Sequence, residues 1–75
     1  MARMAAVKII ELVGSSPKGW EEAVRSAVSE AAKTIRNIKS VHVKRYTAKV
    51  ERNRIVEYRA LVRIAFTVER GSASD

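Results

Sequence analysis

Cysteine is absent from this 75-residue chain, and proline, histidine and aspartate occur once each, as Pro17, His42 and Asp75. Without thiols there is no disulfide framework, and one histidine does not make a structural zinc site. A Cys–His nucleophile is excluded, and a Ser–His–Asp arrangement would have to recruit Asp75 from the last position of the chain. The glutamates have no paired acid/base or metal-ligand spacing, and Gly14-Ser15-Ser16 is not a Walker-type phosphate loop; Gly14 reads as a turn residue. No enzyme activity is expected. No apolar run approaches the ~20 residues of a membrane span, and Met1 to Ala6 lacks the hydrophobic stretch of a secretory signal. Together with the missing thiols this gives the expectation of a cytoplasmic protein without a membrane partner. Aromatic residues are also few: Trp20, Tyr46, Tyr58 and Phe66. They supply no run of exposed rings for base stacking, and no Gly-rich clamp accompanies them.

Positive charge is what the chain has in excess, with 15 Lys and Arg against 8 Asp and Glu for a net +7. Such a balance favours acidic partners, either small anions or nucleic acid, and also keeps an assembly soluble. Nucleic-acid binding rests on charge alone and is the weaker expectation. The length fits a single domain, residues 1–75, with a core over about residues 6–70 and a flexible tail at 71–75. At this size one core barely offsets the entropy of ordering the chain, and oligomerisation is the remaining common source of stability.

The strongest pattern lies near the end. Val56, Tyr58, Ala60, Val62, Ile64, Phe66 and Val68 alternate without a break, as in a strand with one buried face. From Ile55 to Glu69 that strand would extend roughly 45–50 Å. The one good helix, from Pro17 to Arg36, would extend roughly 30 Å. Its apolar stripe is Trp20, Ala23, Val24, Ala27, Ala31 and Ile35, with Trp20 expected as a core anchor beneath the sheet. Ser16 with Pro17 reads as its cap and first position, Glu21 and Glu22 suit its first turn, and Asn37 suits a left-handed end. A helix of that length leaves part of the long strand uncovered, so identical copies are expected to cover the rest.

Ala6 to Val13 reads as a strand with apolar residues on both faces, Val7, Ile9 and Val13 on one and Ile10 and Leu12 on the other. Ile38 to Glu51 is a second strand whose apolar parity switches from Val41 and Val43 to Tyr46, Ala48 and Val50, which predicts a bulge near Lys44 and Arg45. Glu51-Arg52-Asn53-Arg54 is a tight turn into the last strand. The order is β-α-β-β: an α+β fold with a three-stranded antiparallel sheet partly wrapped around one helix, the first strand beside the last.

This chain resembles the dodecin family over Val7 to about Arg70. The resemblance is carried by Lys8-Ile9-Ile10-Glu11-Leu12-Val13-Gly14-Ser15-Ser16-Pro17 leading into Trp20-Glu21-Glu22-Ala23-Val24, by Thr34-Ile35-Arg36-Asn37-Ile38, and by Glu57-Tyr58-Arg59 through Ile64-Ala65-Phe66. It implies a hollow homododecamer built from trimers that binds or stores a small ligand, commonly a flavin such as riboflavin or FMN, between subunits. Flavin-binding members stack the ring on a tryptophan that matches Ser40 here, and hold its edge with a glutamine that matches Arg59. Both contacts are changed in this sequence.

Apart from the resemblance, Arg59, Leu61, Arg63 and Ala65 share one face of the last strand, and Ser40, His42 and Lys44 are expected beside them. These residues form a candidate basic pocket for a phosphate or another anion, or for the flavin that the resemblance implies, with Tyr46 past the bulge either entering the pocket or packing within the strand layer. The other reading of the arginines is ion pairing with Glu11, Glu57 or Glu51. The alternative function is a shell without flavin that is structural or binds divalent cations, with calcium held by Glu11 and Glu57 near subunit axes.

Overall fold

A computed structural model describes residues 4–70. The expected tail, Gly71 to Asp75, lies outside the described residues. The elements are β1 (Met4–Ser16), α1 (Trp20–Ala32), β2 (Ile38–Glu51) and β3 (Arg54–Arg70), and the sheet order is β1-β3-β2 with both pairings antiparallel. β3 is therefore central, and its unbroken alternation gives it one buried face. Its 17 residues extend about 55 Å, against about 20 Å for the 13 residues of α1. The mismatch in length is larger than the sequence alone indicates.

α1 is shorter than expected at both ends. Ser16 does not cap it, because Ser16 is still in the sheet opposite Tyr58, and its Oγ accepts from the Lys18 N–H at 2.9 Å. Gly19 precedes the first turn in extended backbone, and its carbonyl accepts from the Ala23 N–H at 3.0 Å. At the other end the Ala31 carbonyl accepts from both Thr34 and Ile35, which tightens and stops the helix. Asn37 does adopt the left-handed region, with φ 65°, but its work is to turn the chain into β2. Its carbonyl accepts from the Thr67 N–H of β3 at 3.2 Å.

Ala23, Ala27 and Ala31 of α1 lie on Ala60, Val62 and Ile64 of β3, and Ile10, Leu12, Val24, Val28 and Val43 pack around them. Small side chains let the helix sit close to the strands, and Gly14 carries this furthest. A Cβ at Gly14 would overlap the Ala23 carbonyl oxygen and lie 2.9 Å from the Ala27 Cβ. Gly14 is thus a strand residue selected for close approach of the helix, not the turn residue expected.

Of the three register shifts of β2 against β3, at Ile38/Ser40, Val43/Arg45 and Lys49/Val50, the middle one is where the parity switch placed it: Val43 faces Val62 and Arg45 faces Leu61, leaving Lys44 as the extra residue. The turn into β3 has Arg52 at φ 55° and Asn53 at φ 63°, the two left-handed residues of a tight hairpin that follows strand twist. Among the described residues no helix is long and apolar enough to cross a membrane.

Candidate functional site

Antiparallel residues that stand opposite each other share a face, so the register sorts every candidate side chain. On the face away from α1 the rungs run β1–β3–β2 as Ile9–Ala65–Ser40, Glu11–Arg63–His42, Val13–Leu61–Arg45 and Ser15–Arg59–Thr47. Five of the six pocket candidates gather here: Ser40, His42, Arg59 and Arg63 through their rungs, and Lys44 through the bulge, which brings its charge within reach of Glu11. Tyr46 does not join them. It stands opposite Ala60 on the helix side and meets Trp20 edge-on, with ring centroids 5.9 Å apart.

Both arginines are engaged inside the subunit. Arg63 Nε donates to Glu11 Oε2 at 2.7 Å across the strands, and Arg59 Nη2 lies 2.9 Å from Glu57 Oε1 along its own strand. The hydrogen bond from Arg63 holds the Glu11 carboxyl below the usual carboxylate range, helped by the charges of Arg63 and Lys44 and opposed by partial desolvation. Glu57 is lowered in the same way, first by the hydrogen bond from Arg59, with smaller contributions from the charge of Arg59, a Ser15 hydrogen bond and Lys49. Of the partners expected for the arginines, Glu51 is not one; it pairs with Lys49 at 3.4 Å. Glu11 and Glu57, the calcium candidates, are thus already bound to guanidinium groups. Among the described residues no group of three or more His, Cys, Asp or Glu could hold a metal ion.

Trp20 is not buried beneath the sheet. It is 38% exposed, stands edge-on to Tyr58 at 4.8 Å, and donates its indole N–H to the Thr47 carbonyl of β2 at 2.9 Å. Sitting at the first position of α1, it clasps the helix start to the outer strand beyond the last buried alanine. The one available signal was that Tyr46 and Tyr58, opposite Ala60 and Ala48, fall on neighbouring rungs at the same end of the sheet; the helical stripe by itself pointed to the core.

Two of the depressions among the described residues bear on the site. One of 180 Å³ lies between β1 and α1 beside Gly14 and Ala27, smaller than the ~300 Å³ at which ligand pockets begin. The other, 670 Å³, is open surface around the hairpin tip between Glu51, Arg52, Arg54 and Val56, all of them exposed. Neither contains a pocket candidate. The candidates instead share an open face with the apolar side chains of Val7, Ile9 and Val13, exposed by 65%, 60% and 63%.

Comparison with known proteins gives a match over residues 6–69 to the family model described as Dodecin. The chain is 32% identical over 62 residues to a dodecin of Thermus thermophilus, covering 83% of this chain and 90% of that one. It is 29% identical over 63 residues to the calcium dodecin of Mycobacterium tuberculosis, covering 84% and 89%. Among solved structures, dodecin from Streptomyces coelicolor superposes with a TM-score of 0.85 at 27% identity, covering 89% of this chain and 96% of that one.

Proposed function

The chain belongs to the dodecin family, and we propose that it is the subunit of a hollow homododecamer, built from trimers, that binds and stores a small ligand between copies. One observation carries this reading: the candidate residues lie on an open sheet face among exposed valine and isoleucine side chains, so a closed pocket needs a second copy. Dodecins are ligand-binding proteins rather than enzymes, and sequestration is the mechanism that follows.

The ligand is of the flavin class, held weakly, or a different anion of similar size. Ser40 stands where a stacking tryptophan is expected, and its rung partners Ala65 and Ile9 offer no other ring. Loss of a stacking platform costs about 1–3 kcal/mol by analogy with nucleobases, or roughly one to two decades in affinity. Arg59, in the place of the ring-edge glutamine, is occupied by Glu57. Within this reading Ser40, His42, Lys44, Arg59 and Arg63 line the site, and Tyr46 supports it from the other side of the sheet. The test is titration of the purified protein with riboflavin or FMN, following flavin fluorescence. Quenching that strengthens ten- to a hundredfold in Ser40→Trp is expected. Absence of quenching in both proteins at high concentration removes flavin.

Similarity to a calcium dodecin favours a second reading, a calcium-binding shell without flavin. Glu11 and Glu57 would then exchange their arginines for the ion. A melting temperature that rises with calcium and falls back with chelator supports this reading; no change between the two conditions removes it.

A further inference from the structure

The tip of the β2–β3 hairpin departs from regular structure in two ways, and both departures meet at one depression. Arg52 has φ 55°, in the left-handed region that tight hairpins need and that glycine, asparagine and aspartate occupy with least strain. An arginine there works against the fold. On the last rungs Lys49 stands opposite Glu57 and Val50 opposite Ile55, which leaves Val56 as an extra residue of β3. A bulge of this kind re-aims a side chain. Val56, 40% exposed, lines the 670 Å³ depression together with Glu51, Arg52 and Arg54. That volume is within the range of small-molecule sites, about 300–1,000 Å³.

The charges at the tip are unevenly matched. Lys49 holds Glu51 at 3.4 Å, and Arg25, Arg59 and Arg63 each hold a glutamate, whereas Arg52 and Arg54 form no ion pair with another described residue. Two guanidinium groups thus line a depression whose one carboxylate is already paired. From Lys39 to Arg54 the chain carries six Lys and Arg against Glu51 alone, which draws anions toward this end of the molecule.

We propose that the hairpin tip binds a small organic phosphate, with Arg52 and Arg54 on the phosphate oxygens and Val56 against the apolar body of the ligand. Two guanidinium groups match the three free oxygens and double charge of a phosphate monoester better than the two oxygens of a carboxylate. Val50 and Ile55, both exposed, extend the apolar side. Arg52 then serves binding, against the preference of the turn it sits in. The site lies within one subunit, roughly 35–40 Å along β2 from Ser40, and rests on neither the shell nor the flavin reading.

Isothermal titration calorimetry of the full chain with phenyl phosphate, at pH 8 and fixed low salt, tests this, with inorganic phosphate and phenol as the separate halves of the probe. Saturable binding is expected for phenyl phosphate, weaker binding for inorganic phosphate and none for phenol. Arg54→Gln should weaken phenyl phosphate about tenfold or more, as loss of a charge-assisted hydrogen bond does. Arg52→Gly should weaken it as much while raising the melting temperature, because glycine adopts this φ without strain. Arg36→Gln, which removes an exposed positive charge outside the tip, should leave binding unchanged. A wild type that does not bind, tip variants that bind as before, or an equal loss in Arg36→Gln overturns the site. Inorganic phosphate bound as tightly as phenyl phosphate overturns the part given to Val56, and an Arg52→Gly protein that melts lower overturns the strained turn as the reason for Arg52. Each of these results leaves the shell and the flavin titration with Ser40→Trp untouched.

Discussion

The two faces of this one sheet share some apolar residue types, which meet opposite fates. On the near face Ala60, Val62 and Ile64 are fully buried under α1; on the far face Val7, Ile9 and Val13 stand largely in solvent. For these apolar residues the difference is cover: a helix of 13 residues shelters only the middle of a 17-residue strand, and on one side only. Near-face residues stabilise the subunit itself, while in the proposed assembly the apolar far-face residues stabilise it once another copy covers them. A single chain of this size, with a helix stripe made of alanine, buries little apolar area per residue. In the proposed assembly the far face supplies the missing stabilisation.

Substitutions that separate the faces put this contrast at risk. The largest effect is expected from Ile64→Ala, which opens a cavity in the core and costs about 2–5 kcal/mol at any protein concentration. Ile9→Ala on the far face should instead destabilise only through association, so its cost in a denaturant titration should shrink on dilution. Equal, concentration-independent losses at both positions would erase the distinction. Next, Gly14→Ala is expected to lower stability by about 1–3 kcal/mol, because the added methyl meets the helix backbone at Ala23. Thermal melting checks it, and an unchanged melting temperature would mean that α1 sits less tightly on β1 than described.

A smaller loss, about 0.5–1.5 kcal/mol, should follow Trp20→Phe, which keeps the ring packing on Tyr58 and removes the hydrogen bond to Thr47. The smallest concerns Glu11. Because its folded-state carboxyl is lowered, the stability it contributes is present above its unfolded value near 4.5 and is lost as pH falls through the lower folded value. Glu11→Gln should therefore flatten the acid limb of stability against pH below about 4.5 and leave its shape near neutrality alone; an acid limb identical to wild type contradicts the Arg63 pairing as its cause.

Much of the fold was legible from local pattern. The alternation from Val56 to Val68 identifies β3, the parity switch between Val43 and Tyr46 locates the bulge at Lys44, and Asn37 signals a left-handed turn. What could not be read depends on register. Ser16 has the chemistry of a cap, but its pairing with Tyr58 commits it to the sheet. Trp20 fits a helical stripe, but the stripe does not reveal that Tyr46 and Tyr58 from the strands beneath its first turn meet the indole edge-on. The candidate site divides in the same way. That Arg59 and Arg63 share a face follows from spacing alone, whereas the choice of Glu11 for Arg63, and the placing of Tyr46 on the opposite side, require knowing which residue stands across from which.

The central claim, that the far face is covered by identical chains, is tested most directly by native mass spectrometry of freshly purified protein at pH 8. The expected result is a twelve-subunit species, with any retained ligand read from the same spectrum. A folded, stable single subunit as the sole species would contradict it.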